Sequence, residues 1–249
     1  MLIWLNGNLI ESDRPVIRAD DRGFLLADGL FETLLVQAGQ IACLDAHLAR
    51  LEAGARILGF SPPSGLAEAL HLVLEANQLS DAALRLTVTR GPGPRGLLPP
   101  AVPMPTALIT AAPWRKPETP ARVVTGAIRR DEHSPLSRLK TLNYLGQVLA
   151  RQSVPAADEV LMENMAGRLA CASAANIFVF SGGDWITPPI SEGALPGITR
   201  SSILARRLAR VAPITAEIPI NAMALTSSLI GIRPVASLDG HALEIVQFG

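Results

Sequence analysis

An α+β protein built in two lobes is the fold the sequence predicts, and three observations predict it. Period-two alternation and helical spacing succeed one another along residues 1–111. A proline-bearing stretch, Trp114-Arg-Lys-Pro-Glu-Thr-Pro120, then breaks the pattern. A second series of strands and helices follows it. Drawn on this basis, residues 1–112 form a smaller N-terminal lobe, 113–120 a linker and 121–249 a larger C-terminal lobe.

The elements follow in order. Residues 2–11 alternate as a hairpin with Asn6-Gly7 as its turn, and residues 31–44 repeat that pattern around Gly39. Residues 45–58 carry helical spacing behind an acidic cap at Asp45, and residues 67–78 form a second amphipathic helix. Residues 83–90 alternate as a strand and end in Gly91-Pro-Gly-Pro-Arg-Gly96, a stiff loop. A strand at 106–110 leads to the linker. Beyond it the sequence predicts strands at 121–125, 159–162 and 176–180, helices at about 142–153 and 197–208, and a strand pair within 232–246.

Composition narrows the functional classes. Hydrophobic residues make up 49% and charged residues 18% of 249, which excludes disorder and allows a substantial core. Formal net charge is zero, so nothing points to nucleic acid or an anionic membrane as partner. Cys43 and Cys171 are too few for a disulfide framework, and no cluster of metal-ligand spacing appears. There is no apolar run of about 18 residues and no basic n-region at the start, so the expectation is a soluble cytoplasmic protein acting on a small molecule.

Lys140 is one of two lysines against twenty arginines. Where charge alone is wanted this chain uses arginine, so a retained lysine invites a role that needs an amine able to lose its proton. Leu139, Leu142 and Leu145 flank it and would desolvate that amine. On these facts a Schiff-base lysine and a surface lysine at a helix start both stand. Ala194-Leu-Pro-Gly-Ile-Thr-Arg-Ser202 suits either an ordinary capped helix or an anion site on free amides, and Thr226-Ser-Ser228 could add hydroxyls or be a plain turn. Arg50, beside Leu48 and Leu51 on a helix face, wants an anion; Glu52 is badly placed for it and a phosphate is an alternative.

Together these pieces resemble one family. Asp21-Arg-Gly-Phe-Leu-Leu-Ala-Asp-Gly-Leu-Phe-Glu-Thr-Leu34 and His47-Leu-Ala-Arg-Leu51 are similar to the N-terminal lobe of fold-type IV pyridoxal-phosphate enzymes. Lys140-Thr-Leu-Asn-Tyr-Leu-Gly-Gln-Val148, Asp158-Glu-Val-Leu-Met162, Ala174-Ala-Asn-Ile-Phe178, Thr187-Pro-Pro189 and Leu195-Pro-Gly-Ile-Thr-Arg200 follow in that family's order. The resemblance spans essentially the whole chain. It implies a two-lobed fold with the cofactor, pyridoxal 5'-phosphate, in the inter-lobe cleft, and a homodimer. It makes Lys140 the Schiff-base lysine and proton shuttle. Arg50, the amides of Ile198 and Thr199, and a hydroxyl of Ser227 or Ser228 become the phosphate cradle. Tyr144 and Asn143, on the first turn of the helix after the lysine, could line the substrate pocket.

Within the family, Arg90-Gly-Pro-Gly-Pro-Arg-Gly96, Ser228-Leu-Ile-Gly-Ile-Arg-Pro-Val235 and the short length are similar to 4-amino-4-deoxychorismate lyase. Phe31 stands where many D-amino acid aminotransferases have tyrosine. Arg95 falls where those aminotransferases keep a carboxylate-trapping arginine, but the histidine expected two residues on is Leu97; Arg95 stands either as a substrate-carboxylate residue or as a solvated loop arginine, and Phe31 as a substrate residue beside it. One departure matters most. The glutamate that pairs with the pyridine nitrogen, five residues before the asparagine of Asn176-Ile-Phe, is replaced by Cys171. A thiol is at best a weak partner there, which weakens the ring as an electron sink. The expectation is a lyase forming 4-aminobenzoate and pyruvate toward folate. A D- or branched-chain aminotransferase is the alternative, and a catalytically weakened cofactor-binding relative a further one.

Overall fold

The Asn6-Gly7 turn closes the first hairpin: β1 (Leu2–Leu5) and β2 (Asn8–Glu11) pair antiparallel around it, with Asn6 at φ 47° and Gly7 at 99°. The structure, a computed structural model, describes residues 1–248. The chain divides into two compact units: Met1–Arg115 with Lys140–Asn143, and Lys116–Leu139 with Tyr144–Gly249. The sequence expectation grouped Lys140 with residues 121–249, whereas the tetrapeptide that begins with it is counted with the first unit.

In that unit α1 (Arg22–Leu26), β3 (Gly29–Gln37), β4 (Gln40–Ile41), α2 (Leu44–Leu58), α3 (Leu66–Ala76), β5 (Ala82–Thr89) and β6 (Thr106–Pro113) follow the hairpin. Six strands form one antiparallel sheet in the order β2-β1-β6-β5-β3-β4. The helix α1 escaped the sequence reading because five residues carry too little periodicity to see; the Asp21 side chain caps it by accepting from the Gly23 amide. The cap expected at Asp45 lies elsewhere. Helix α2 starts one residue earlier, behind Cys43 in the left-handed region at φ 53°, and no side chain caps it. It buries His47, Leu51, Gly54 and Ala55, a single stripe at helical spacing. Helix α3 does the same with Leu66, Ala69, Leu70, Val73 and Leu74.

The second unit contains β7 (Ala121–Thr125), α4 (Leu145–Ser153), β8 (Glu159–Glu163), β9 (Leu169–Ala172), β10 (Asn176–Ser181), β11 (Asp184–Thr187), α5 (Ile198–Ala205), β12 (Arg210–Val211), β13 (Ala222–Ser227), β14 (Gly231–Leu238) and β15 (His241–Ala242). Eight of these strands run in the order β12-β11-β10-β13-β14-β7-β8-β9, with β15 on β14. Pairing is parallel at β11–β12, β14–β7 and β7–β8 and antiparallel elsewhere. One core gathers Val123, Leu161, Ile177, Val179, Ile186, Met223, Leu225 and Val235. A second gathers Phe178, Trp185 and Ile203. Complete burial of a side chain such as Phe178 contributes about 2–3 kcal/mol.

Helix α4 begins three residues later than expected. Tyr144 is its N-cap residue and Asn143 precedes it, so neither lies on a helical turn. The main chain of 140–142 is engaged in strand-like bonds and is not available to start the helix.

Candidate active site

Lys140 is held by its backbone. The Phe31 amide donates to the Lys140 carbonyl at 2.9 Å and the Leu142 amide donates to the Gly29 carbonyl at 3.0 Å, with Leu30 and Thr141 bridged antiparallel. The start of β3 therefore pairs with β5 on one side and with the lysine segment on the other. Gly29 permits this crowding: a Cβ there would stand 2.6 Å from the Val88 carbonyl oxygen and 2.9 Å from a methyl of Leu142.

The Lys140 Nζ lies 4.2 Å from the centroid of the Phe31 ring, and the Arg85 guanidinium carbon lies 3.8 Å from the same centroid. Beneath them is a cluster the sequence reading missed. Glu32, fully buried on β3, accepts from Arg50 Nε at 2.8 Å and Nη2 at 2.6 Å, and from His47 Nδ1 at 2.7 Å. Burial pushes the Glu32 carboxyl up, but the hydrogen bonds from Arg50 and His47 outweigh it and hold the group below its ordinary range. The anion that Arg50 wanted is thus at least in part Glu32, eighteen residues upstream in sequence. A signal for it was present: Leu30, Glu32 and Leu34 share one face of a strand whose apolar members are buried.

Burial lowers the Lys140 amine to about 8; Glu32 pulls it up, while Arg50 and Arg85 push it further down. A drop from 10.5 to about 8 gives roughly three-hundredfold more neutral amine at pH 7. That is the form able to attack an aldehyde. The desolvating neighbours differ from those expected. Leu142 packs near Gly29, but Leu145 is 64% exposed at the start of α4. Of the residues proposed to meet substrate, Phe31 is buried under the lysine, Arg95 and Asn143 are exposed, and Tyr144 is half-buried.

The second unit places backbone amides and hydroxyls around the start of α5. Gly197 precedes α5 in an extended conformation and no side chain caps the helix, so the amides that begin with Ile198 and Thr199 are left uncapped. A Cβ on Gly197 would stand 1.9 Å from Asn176 Oδ1, so only glycine lets the helix start lie on that amide. Asn176 Nδ2 donates to the Leu195 carbonyl at 2.8 Å and fixes the loop ahead of the helix. Across the ladder Asn176 faces Thr226, whose buried Oγ1 has no hydrogen-bond partner. A buried hydroxyl left in this state costs stability unless a ligand satisfies it. Ser227 and Ser228 follow it, half-buried in the β13–β14 turn, with Ser227 Oγ accepting from the Ile230 amide at 3.4 Å.

Cys171 is buried on β9 opposite Met162, packed with Ala170 and Ile128. Burial pushes its thiol up to about 11, with Arg130 opposing and Glu159 adding to the rise. It is a neutral thiol at physiological pH. Glu159 is the carboxylate of this neighbourhood, and it accepts from the Ser173 hydroxyl and from the Val160 amide at 2.8 Å. Among the described residues no group of three or more His, Cys, Asp or Glu side chains is placed to hold a metal ion, and no helix is long and apolar enough to cross a membrane.

Comparison with known proteins gives a consistent family and several activities. The family model "Amino-transferase class IV" matches residues 29–238. A provisionally named branched-chain-amino-acid aminotransferase of Methanocaldococcus jannaschii is 32% identical, over 100% of this chain and 92% of that one. The D-alanine aminotransferase of Bacillus licheniformis is 29% identical over 98% and 90% of the two chains. The crystal structure of 4-amino-4-deoxychorismate lyase from Pseudomonas aeruginosa superposes with a TM-score of 0.83 at 30% identity, covering 99% of this chain and 94% of that one. The likeness extends over nearly the full length of each, and their names carry three different reactions.

Proposed function

This chain belongs to the class IV amino-transferase family of pyridoxal-phosphate enzymes, and from that premise we propose that it is a lyase converting 4-amino-4-deoxychorismate to 4-aminobenzoate and pyruvate. Each unit by itself holds groups that suit one part of the cofactor. Lys140 offers a desolvated amine for the aldehyde. The uncapped start of α5, with Ile198 and Thr199, and the hydroxyls of Thr226, Ser227 and Ser228 suit the phosphate. Arg50, whose guanidinium forks onto Glu32, adds positive charge for it.

When bound, the cofactor supplies an electron-withdrawing ring conjugated to the carbon that carries the substrate amine. The chain's own residues do the rest. Lys140 Nζ takes the proton from that ring carbon. The bond to the enolpyruvyl oxygen then breaks with its electron pair going to oxygen, and return of one proton to the departing enol gives pyruvate. Burial, opposed by Glu32, sets how readily Nζ holds the proton, and Arg95 meets a substrate carboxylate.

The observation that carries the lyase reading is Cys171. By the family pattern it stands where a carboxylate keeps the ring nitrogen protonated, and its thiol is neutral and raised to about 11. Transamination leans hardest on the ring's electron withdrawal. Elimination that yields an aromatic product brings its own driving force and leans on it least. The second reading, a D- or branched-chain aminotransferase, is favoured by the 32% and 29% identities to proteins so named. On the lyase reading the enzyme is a cytoplasmic homodimer serving folate synthesis.

The deciding experiment is product formation from 4-amino-4-deoxychorismate by the purified holoenzyme. Pyruvate released without any 2-oxo acid supports the lyase. An absolute need for a 2-oxo acid acceptor overturns it in favour of the transferase, and no turnover with either leaves a cofactor-binding relative. Cys171→Glu sharpens the argument: it raises transamination while leaving lyase turnover within about threefold.

A further inference from the structure

The loop after β5, residues 91–105, is closed at its neck by one carboxylate. Asp21 Oδ2 accepts from Thr89 Oγ1 at 3.0 Å, at the end of β5, and from Thr106 Oγ1 at 2.7 Å, at the start of β6. Gly91, at φ 87°, lies where a Cβ would stand 1.7 Å from the Met104 carbonyl oxygen, so the two limbs touch backbone to backbone.

Beyond the neck the loop is held by Arg22, itself only 5% exposed. Nη1 of Arg22 donates to the Gly96 carbonyl at 3.0 Å and the Leu98 carbonyl at 3.3 Å, and Nη2 donates to the Leu97 carbonyl at 2.8 Å. Nε donates to Asp28 at 2.8 Å, and the same carboxylate oxygen accepts from Arg90 Nε at 2.7 Å. Gly93 packs on the stem of the arginine, where a Cβ would stand 2.7 Å from Cδ. Three successive carbonyls turned onto one planar guanidinium fix the peptide planes of 96–98. No hydrophobic anchor does so, because Leu97 and Leu98 are 82% and 84% exposed. The residue immediately before the clamped run is Arg95.

We propose that Arg22 is a positioning residue for substrate recognition: its clamp on carbonyls 96–98 presets the direction in which Arg95 meets the substrate carboxylate. This rests on the reading of Arg95 given above. A lysine at position 22 would keep a charge for Asp28 but cannot spread donors over three carbonyls and a carboxylate at once.

Two variants test it, R22K and G93A, the second displacing the Arg22 stem from the loop side without removing a buried charge. The first readout is limited trypsin cleavage at the exposed Arg95–Gly96 bond of the native holoenzyme, followed by mass spectrometry. Both variants speed that cleavage about tenfold. The second is steady-state kinetics with 4-amino-4-deoxychorismate, or with the amino acid substrate should the enzyme prove a transferase. There KM rises about tenfold while kcat stays within about threefold and the absorbance of bound cofactor is unchanged. Should R22K not fold, G93A decides alone. Unaltered cleavage sinks the clamp, and faster cleavage with unaltered KM sinks its role in recognition. An Arg95→Leu variant with wild-type KM overturns the Arg95 reading, separately from either.

Discussion

Replacing Lys140 by methionine should stabilise the cofactor-free protein. The amine's ordinary pKa of 10.5 is lowered to about 8 chiefly by burial. At about 1.4 kcal/mol per unit, keeping the ammonium form in the fold at neutral pH costs about 3 kcal/mol. The sign is set by which state holds the proton. Below pH 8 both folded and unfolded chains carry it, and the penalty is whole. Between about 8 and 10.5 the folded protein has released it while the unfolded chain still binds it, so stability rises with pH. Above 10.5 both are neutral and the penalty is gone. Urea denaturation of the cofactor-free proteins at pH 7 should therefore show Lys140→Met more stable by up to about 3 kcal/mol, with the gap falling below about 1 kcal/mol near pH 10. Equal stability at pH 7, or a gap that does not close with pH, would refute the claim that the fold itself depresses this amine.

Two further predictions concern Cys171 and the start of α5. In the native protein Cys43, which is exposed, reacts with Ellman's reagent at pH 8, while Cys171, buried with its thiol near 11, reacts only after denaturation; comparable rates for both would contradict the neutral, inaccessible thiol. Gly197→Ala places a Cβ 1.9 Å from Asn176 Oδ1 and must displace either that amide or the start of α5. Spectrophotometric titration should show cofactor affinity weakened by about tenfold or more, and unchanged affinity would remove α5 from the phosphate cradle.

The longer elements in their order and the amphipathic stripes of α2 and α3 were legible, because they rest on local spacing, whereas α1 and the short strands β9, β11 and β12 carry too few residues to show a period. Lysine scarcity marked Lys140, and the missing carboxylate at Cys171 could be read against the family's pattern. What local spacing could not reach were pairings across the sheet and across loops. Glu32, His47 and Arg50 are adjacent only because α2 packs on β3, and Arg22 meets 96–98 only because the loop folds back over α1. Helix α4 was placed too early for the same reason: the bonds that draw residues 140–142 onto β3 are long-range, and no propensity announces them.

The sequence alone thus determined the family and the cofactor and singled out Lys140 as the candidate lysine, since each depends on which atoms the chain possesses and in what order. Tertiary structure decided the state of those atoms. Burial beside Phe31, Arg85 and the Glu32 cluster makes the Lys140 amine partly neutral, burial on β9 keeps the Cys171 thiol protonated, and a guanidinium hidden under a loop orients its neighbour. Desolvation and charge act through distances in space, and only the folded chain sets those distances.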